Sequence, residues 1–265
     1  MKVLIVFAHP ESKSFNGALK DVAVTVLKDQ GHEVQVSDLY QMRWRPALGE
    51  EDFVGERLNP DFLDLSVEQE HMSAPAPDVF EEQQKVLWCD LIIFQYPLWW
   101  FTMPAILKGW VDRVMTRGFA YATGRKYDTG MFKGRKAMIS TTTGTASSLY
   151  EPDGIDGDIN HILWPVHNGI FRYLGFDVLP PHICWMPGRV SSEERNGYLD
   201  SYAARLRTLG SAQSLFFHSL EDYGPDQRLK PGVAARSGFQ WNPGAGQSHD
   251  QAADEYSPKQ IANAG

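Results

Sequence analysis

"KVLIVFAHPESKSFNGALKDVAV", residues 2–24, decides the architecture. Lys2 to Ala8 is an apolar, β-branched run without alternation, which predicts a strand buried on both faces, as in a parallel sheet. Phe15, Leu19, Val22 and Val26 then recur at helical spacing. Ser14 or Asn16 can cap the helix start, and Gly31 closes its end. Between strand and helix lies a loop with one glycine, Gly17, at its far end. That loop lacks both G-x-G-x-x-G and G-x-x-x-x-G-K-[ST], so neither a dinucleotide fingerprint nor a P-loop is present.

The alternation continues outward from this unit. "EVQVSDL" (33–39) predicts a second strand and "DLIIFQYP" (90–97) a third. "GRKAMISTTTG" (134–144) predicts a fourth, and "FDVLPPHICWM" (176–186) a fifth. Helices are expected over 77–90, from Pro104, over 161–175 and over 191–209. In the last, Ser191 and Glu194 have capping-box spacing. Residues 50–76 are polar and irregular, an excursion with short helical pieces. Five strands alternating with helices predict an α/β, doubly wound parallel sheet. We place this domain at 1–222 and a Gly/Pro-rich C-terminal arm at 223–265. The arm has two readings: a disordered tail, or a segment anchored on this or a neighbouring subunit by Phe239, Trp241 and Tyr256.

Composition narrows the function classes. The 265 residues carry a net charge of -8, with no clustered basic patch, which disfavours nucleic acid and anionic membrane as partners. No stretch reaches the roughly 20 apolar residues of a membrane helix. The two cysteines, Cys89 and Cys184, form no disulfide framework, and a reducing, cytoplasmic setting is expected.

Ligands of an open α/β sheet bind beyond the C-terminal strand ends, and three loops there stand out. The first, His9 to Asn16, enters a helix whose free N–H groups, with Ser and Asn donors, suit an anion; it could equally be a plain capped turn. The second, "FQYPLWWFTMP" (94–104), places Leu98, Trp99, Trp100 and Phe101 in a row. Such a row needs covering by a planar ligand, a subunit interface or a satellite core. The third, from Ser140, offers Thr142, Thr143, Gly144 and Tyr150. An anion loop, an aromatic wall and a donor-rich loop together suit a flavin.

With these residues the chain resembles the NAD(P)H:quinone oxidoreductases of the DT-diaphorase type. The match runs through "VSDLY", "DLIIFQYPLWWFTMPAILKGWVDRV", "FAY", "TTTGTASSLY", "GIDGD" and "ILWPVHNGI", in colinear order over about residues 2–215. The resemblance implies a flavodoxin-like fold, a homodimer with active sites at its interface, and FAD rather than FMN. It implies ping-pong hydride transfer from NADPH or NADH to a quinone. His9, Ser14, Phe15, Asn16, Pro97, Leu98, Trp99, Trp100, Phe101, Thr142, Thr143, Gly144, Tyr150 and Arg195 match cofactor contacts. Trp100, Phe101, Gly144 and Thr145 fall at the substrate pocket, and Tyr121 matches an aromatic that reaches it from the other subunit. Tyr150 is the expected main catalytic proton donor, with Asp156 as a helper. Asp156 stands where the family has a histidine; beside a reduced flavin it must be protonated or point away. Thr145 replaces a glycine, narrowing the pocket or adding a hydroxyl. Asn168 and Arg172 replace a metal-binding pair, so no metal is expected. The alternatives are an FMN-dependent azo or nitro reductase and a flavin-bearing ancillary subunit of a membrane transporter. His167, His182 and His218 are read as ordinary surface or satisfied histidines.

Overall fold

The computed structural model describes residues 1–72 and 74–235. They fall into two compact units, one spanning 1–215 and one beginning at Phe216. Phe239, Trp241 and Tyr256, the anchors suggested for the arm, lie outside the described residues.

The first strand, β1 (Lys2–Phe7), and the second, β2 (Glu33–Asp38), pair in parallel and flank helix α1 (Phe15–Asp29) in a βαβ opening. The excursion folds as a short antiparallel pair, β3 (Phe53–Val54) with β4 (Ala74–Pro75), around helix α2 (Leu65–His71). Then follow α3 (Pro77–Trp88), β5 (Leu91–Pro97), α4 (Ala105–Val114), β6 (Lys136–Thr142) and α5 (Ile159–Val166). The chain ends its first unit with β7 (Asp177–Val178), β8 (His182–Cys184) and α6 (Ser192–Arg207). Sheet order is β2-β1-β5-β6-β7, with β8 also paired to β6, and every pairing in this sheet is parallel.

Alternate strand residues serve opposite faces. Val3, Ile5, Leu91, Ile93 and Met138 pack with Leu19, Ala23 and Leu27 of α1 and with Tyr202 and Leu206 of α6. Phe94 points the other way, edge-on to Trp110 of α4 at 5.8 Å and 4.7 Å from Phe171. Apolar runs without alternation are thus explained by helices on both sides. Ser14 caps α1 by accepting from Gly17 N–H, and Ser191 with Glu194 closes the capping box of α6.

Two elements depart from expectation. The fifth strand breaks into β7 and β8 because Pro180 and Pro181 have no N–H for the ladder. The helix expected over 161–175 becomes a π-helix from His167 to Arg172, directly after Pro165 inside α5. Proline removes one i→i−4 bond, and the chain re-registers with a wider turn.

The excursion is tied down by a buried ion pair. Arg113, 1% exposed, contacts Asp52, 4% exposed, at 2.6 Å and lies 4.3 Å over the Trp44 ring. Asp78 completes the cluster at 2.8 Å. In the second unit His218 is buried and bonds Asp222 at 2.9 Å.

His167, His182 and His218 are all buried, which corrects the surface alternative for them. His182 stacks on Tyr202 at 4.5 Å, and burial lowers its pKa to about 4, with Arg205 adding to the effect. Burial lowers His167 to about 4 as well. The unfolded chain charges both rings below about 6.5, while the folded chain keeps them neutral down to about 4. Stability is therefore complete above the upper value and is lost as pH falls toward the lower one. Each histidine should contribute a loss of about 2 kcal/mol between pH 7.5 and 5. Urea midpoints at pH 7.5, 6 and 5 should fall in that order, and His167→Gln should flatten the trend.

Candidate functional site

The C-terminal ends of β1, β5 and β6 lie side by side: Phe7 opposes Gln95, and Pro97 opposes Thr142. Each of the three loops singled out by sequence leaves the sheet at this edge. A buried polar chain joins their roots. Gln95 Nε2 donates to Asn16 Oδ1 at 2.9 Å, and Asn16 Nδ2 donates to Thr142 Oγ1 at 2.9 Å. The Asn16 side chain is thus a brace, and what Asn16 retains for a ligand is its helix-start N–H.

In the first loop, His9 Nδ1 lies 3.0 Å from both the N–H and the carbonyl oxygen of Glu11, so the loop occupies Nδ1 and leaves Nε2 without a partner inside it. Ser14 Oγ accepts from Gly17 N–H at 3.1 Å. Phe15 and Asn16 supply the first helical N–H groups, with no acceptor inside the helix. Gly17 has a steric reason for being glycine. A Cβ there would lie 1.9 Å from the Ser12 carbonyl oxygen. The loop folds back onto its own helix, and only a missing side chain lets it pass.

In the second loop, Trp99 and Thr102 exchange both backbone hydrogen bonds at 3.0 Å. The two residues between them, Trp100 and Phe101, have φ of 51° and 59°. This is the two-residue turn with positive φ at both positions that normally demands Asn-Gly. Two bulky aromatics held so cost on the order of 1–3 kcal/mol each. The strain presents Trp100, 94% exposed, and half-exposes Phe101, while Leu98 is buried beneath. Trp99 tilts toward His9 with ring centroids 6.2 Å apart.

In the third loop, Thr143 N–H donates to the Cys184 carbonyl at 3.1 Å, and Thr143 Oγ1 donates to the Thr145 carbonyl at 2.7 Å. Thr145 Oγ1 lies 3.2 Å from Tyr150 Oη. Tyr150 is 8% exposed and rests on Trp185, centroids 5.4 Å apart. A Cβ on Gly144 would meet nothing within 4 Å, so space is open beside it. Asp156 is half-buried; its N–H donates to Leu149 O at 2.9 Å, and its carboxylate makes no hydrogen bond to Tyr150.

Two expected residues stand apart from the loops. Arg195 holds the segment after β8, donating to Val190 O at 2.7 Å, Pro187 O at 3.3 Å and Ser192 Oγ at 2.9 Å. Tyr121 lines a cavity of about 370 Å³ with Val111, Met115, Ile170 and Tyr173, and has no ring contact or hydrogen bond with the three loops. Asn168 and Arg172 bond each other at 3.0 Å. Sequence reasoning missed Gln95 and Trp185. A lone amide inside "DLIIFQYP" was the available signal for Gln95; nothing local marked Trp185, which meets Tyr150 only through the fold.

Comparison with known proteins places this edge in context. The flavodoxin-like fold family matches residues 1–209. The mouse ribosyldihydronicotinamide dehydrogenase [quinone] is 47% identical over 211 residues, covering 78% of this chain and 91% of that protein. The rat NAD(P)H dehydrogenase [quinone] 1 is 42% identical over 219 residues, covering 82% and 80%. A solved Klebsiella pneumoniae chain described as a candidate quinone reductase superposes with a TM-score of 0.86 at 39% identity, over 90% of this chain and 98% of its own.

The Gly17 contact makes a direct prediction. Gly17→Ala should lower stability by about 1–3 kcal/mol, because the Ser12 carbonyl must move aside. Urea denaturation measures the loss; an unchanged midpoint would show that the loop yields freely.

Proposed function

The chain belongs to the flavodoxin-like family, and from that membership we propose that it is a flavin-dependent NAD(P)H:quinone oxidoreductase that holds FAD and works by a ping-pong sequence. Its similarity to proteins named as quinone dehydrogenases, at 42–47% identity over most of both chains, supports the oxidoreductase class. The observation that carries the flavin is the strained turn at Trp100–Phe101. It keeps aromatic faces exposed beside a helix-start anion site and a hydroxyl-rich loop, on one sheet edge. Strain of that kind persists where a bound group makes use of it.

The donor set fits such a cofactor. His9 Nε2 and the N–H groups of Phe15 and Asn16 would hold phosphate. Trp100 and Phe101 would cover the ring, with Pro97 and Leu98 as its floor. Thr142 fixes the roots of the loops, and Thr143 and Gly144 bring backbone close to the ring edge. Arg195 acts by holding the segment after β8. A bound flavin supplies two-electron chemistry, taking a hydride from NAD(P)H and delivering two electrons and protons to a quinone, with one NAD(P)H and one proton consumed overall. Tyr150 is the proton donor to charge developing at the cofactor edge. Asp156 sits close by along the chain without bonding Tyr150, and serves as an auxiliary to proton movement. Substrate contacts fall to Trp100, Phe101, Gly144 and Thr145. Tyr121, remote from its own loops, is the residue a partner subunit would receive in a homodimer. A reducing cytoplasm suits the two buried, unpaired thiols.

Two measurements test this reading. Acid release and mass spectrometry of the purified protein should yield FAD; FMN would move the chain toward the azo and nitro reductases, and no flavin at all would sink the proposal. Tyr150→Phe should keep the flavin yet slow its reduction about 10- to 100-fold, or about 1.4–2.7 kcal/mol of barrier, as followed by stopped-flow absorbance.

A further inference from the structure

The hydroxyl of Thr145 has a bonding pattern that reaches beyond narrowing a pocket. A threonine hydroxyl donates one hydrogen and accepts others. Thr143 spends its hydrogen on the Thr145 carbonyl, at 2.7 Å, and accepts from Met186 N–H at 3.3 Å. With Thr143 N–H bonded to Cys184 O at 3.1 Å, the Thr145 backbone is anchored to the β6–β8 edge. The Thr145 side chain is then held facing the phenol, 3.2 Å from Tyr150 Oη. Trp185 packs against the ring of Tyr150, which limits the phenol's rotation.

The direction of this bond matters. If Thr145 donates to Tyr150 Oη, the tyrosine's own hydrogen is not consumed within the loop. It is free for an acceptor outside the loop. Accepting one hydrogen bond also polarises the tyrosine O–H and makes it a better donor. No other side chain bonds Tyr150 Oη among the described residues, Asp156 included.

We propose that Thr145 is a positioning residue for Tyr150, donating to its oxygen and so turning the phenolic hydrogen outward toward the reacting group. The role assigned to Tyr150 in catalysis rests on the quinone-reductase reading; the contact itself does not.

The test uses Thr145→Val, which keeps the shape and removes the hydroxyl, and Thr145→Ser, which keeps the hydroxyl. The first readout needs no cofactor. In protein carrying ¹³Cζ-tyrosine, the Tyr150 resonance, assigned by its loss in Tyr150→Phe, should shift in the Val variant and return in the Ser variant. The second is kinetic. Thr145→Val should slow the Tyr150-dependent step, read as single-turnover flavin reduction, about 3- to 10-fold, the worth of one hydrogen bond. Thr145→Ser should restore most of the rate, and Thr145→Val should add nothing in a Tyr150→Phe background. A Val variant with the parental resonance and rate overturns the proposal, as does an equal slowing in the Tyr150→Phe background. A shifted resonance in protein that releases no flavin would keep the positioning role and remove the quinone-reductase reading instead.

Discussion

Two buried hydrogen bonds, Gln95 to Asn16 and Asn16 to Thr142, hold the functional edge together. They join β5, the start of α1 and the end of β6, elements far apart in sequence. Each donor lies at the root of a different loop. A buried polar group without its partner carries a penalty of about 1–3 kcal/mol, so the three roots move together or not at all. The loops can then be irregular and exposed above a floor that is not. Gln95 Oε1 remains without a hydrogen-bond partner, so removing either bond would add to a polar set that is already incompletely satisfied.

Above that floor the three loops are stiffened by different means. The first uses a backbone crossing at Gly17 that excludes any side chain. The second uses a paired turn that forces two aromatics into left-handed backbone. The third ties Thr143 to β8 through its backbone N–H and to Thr145 through its hydroxyl, and Thr145 to Tyr150 through its own hydroxyl. Stiffness before binding matters chemically, because donors aimed in advance do not have to reorganise as charge develops. The same stiffness explains why a single hydroxyl at Thr145 can set the direction of the phenol beside it.

His167, His182 and the Arg113 cluster lie outside the proposed chemistry and belong to stability. Asp52, Asp78 and Trp44 surround Arg113 and secure the 50–76 excursion against α4. His167 begins the π-helix, whose Phe171 meets Phe94 on the sheet. Proline inside α5 changes the course of the helix just before these contacts, so packing and backbone irregularity were accommodated together.

Much of the molecule was legible from the chain alone. Unalternated apolar strands, helical spacing in α1 and the Ser191–Glu194 box are local signals, set by period and by the chemistry of helix ends. They determined the parallel, doubly wound sheet and hence the strand-end edge at which open α/β sheets take their ligands. The loops were legible too, because four large apolar residues in a row after a strand are costly unless used. Tertiary structure decided what each side chain does there. It made Asn16 and Thr142 braces, turned Arg195 toward its own loop, left Asp156 unbonded to Tyr150, and brought Trp185 and Thr145 to the phenol. Those outcomes depend on contacts between segments separated by as many as 126 positions, as for Asn16 and Thr142, and no local pattern encodes a distance that only the packed sheet creates.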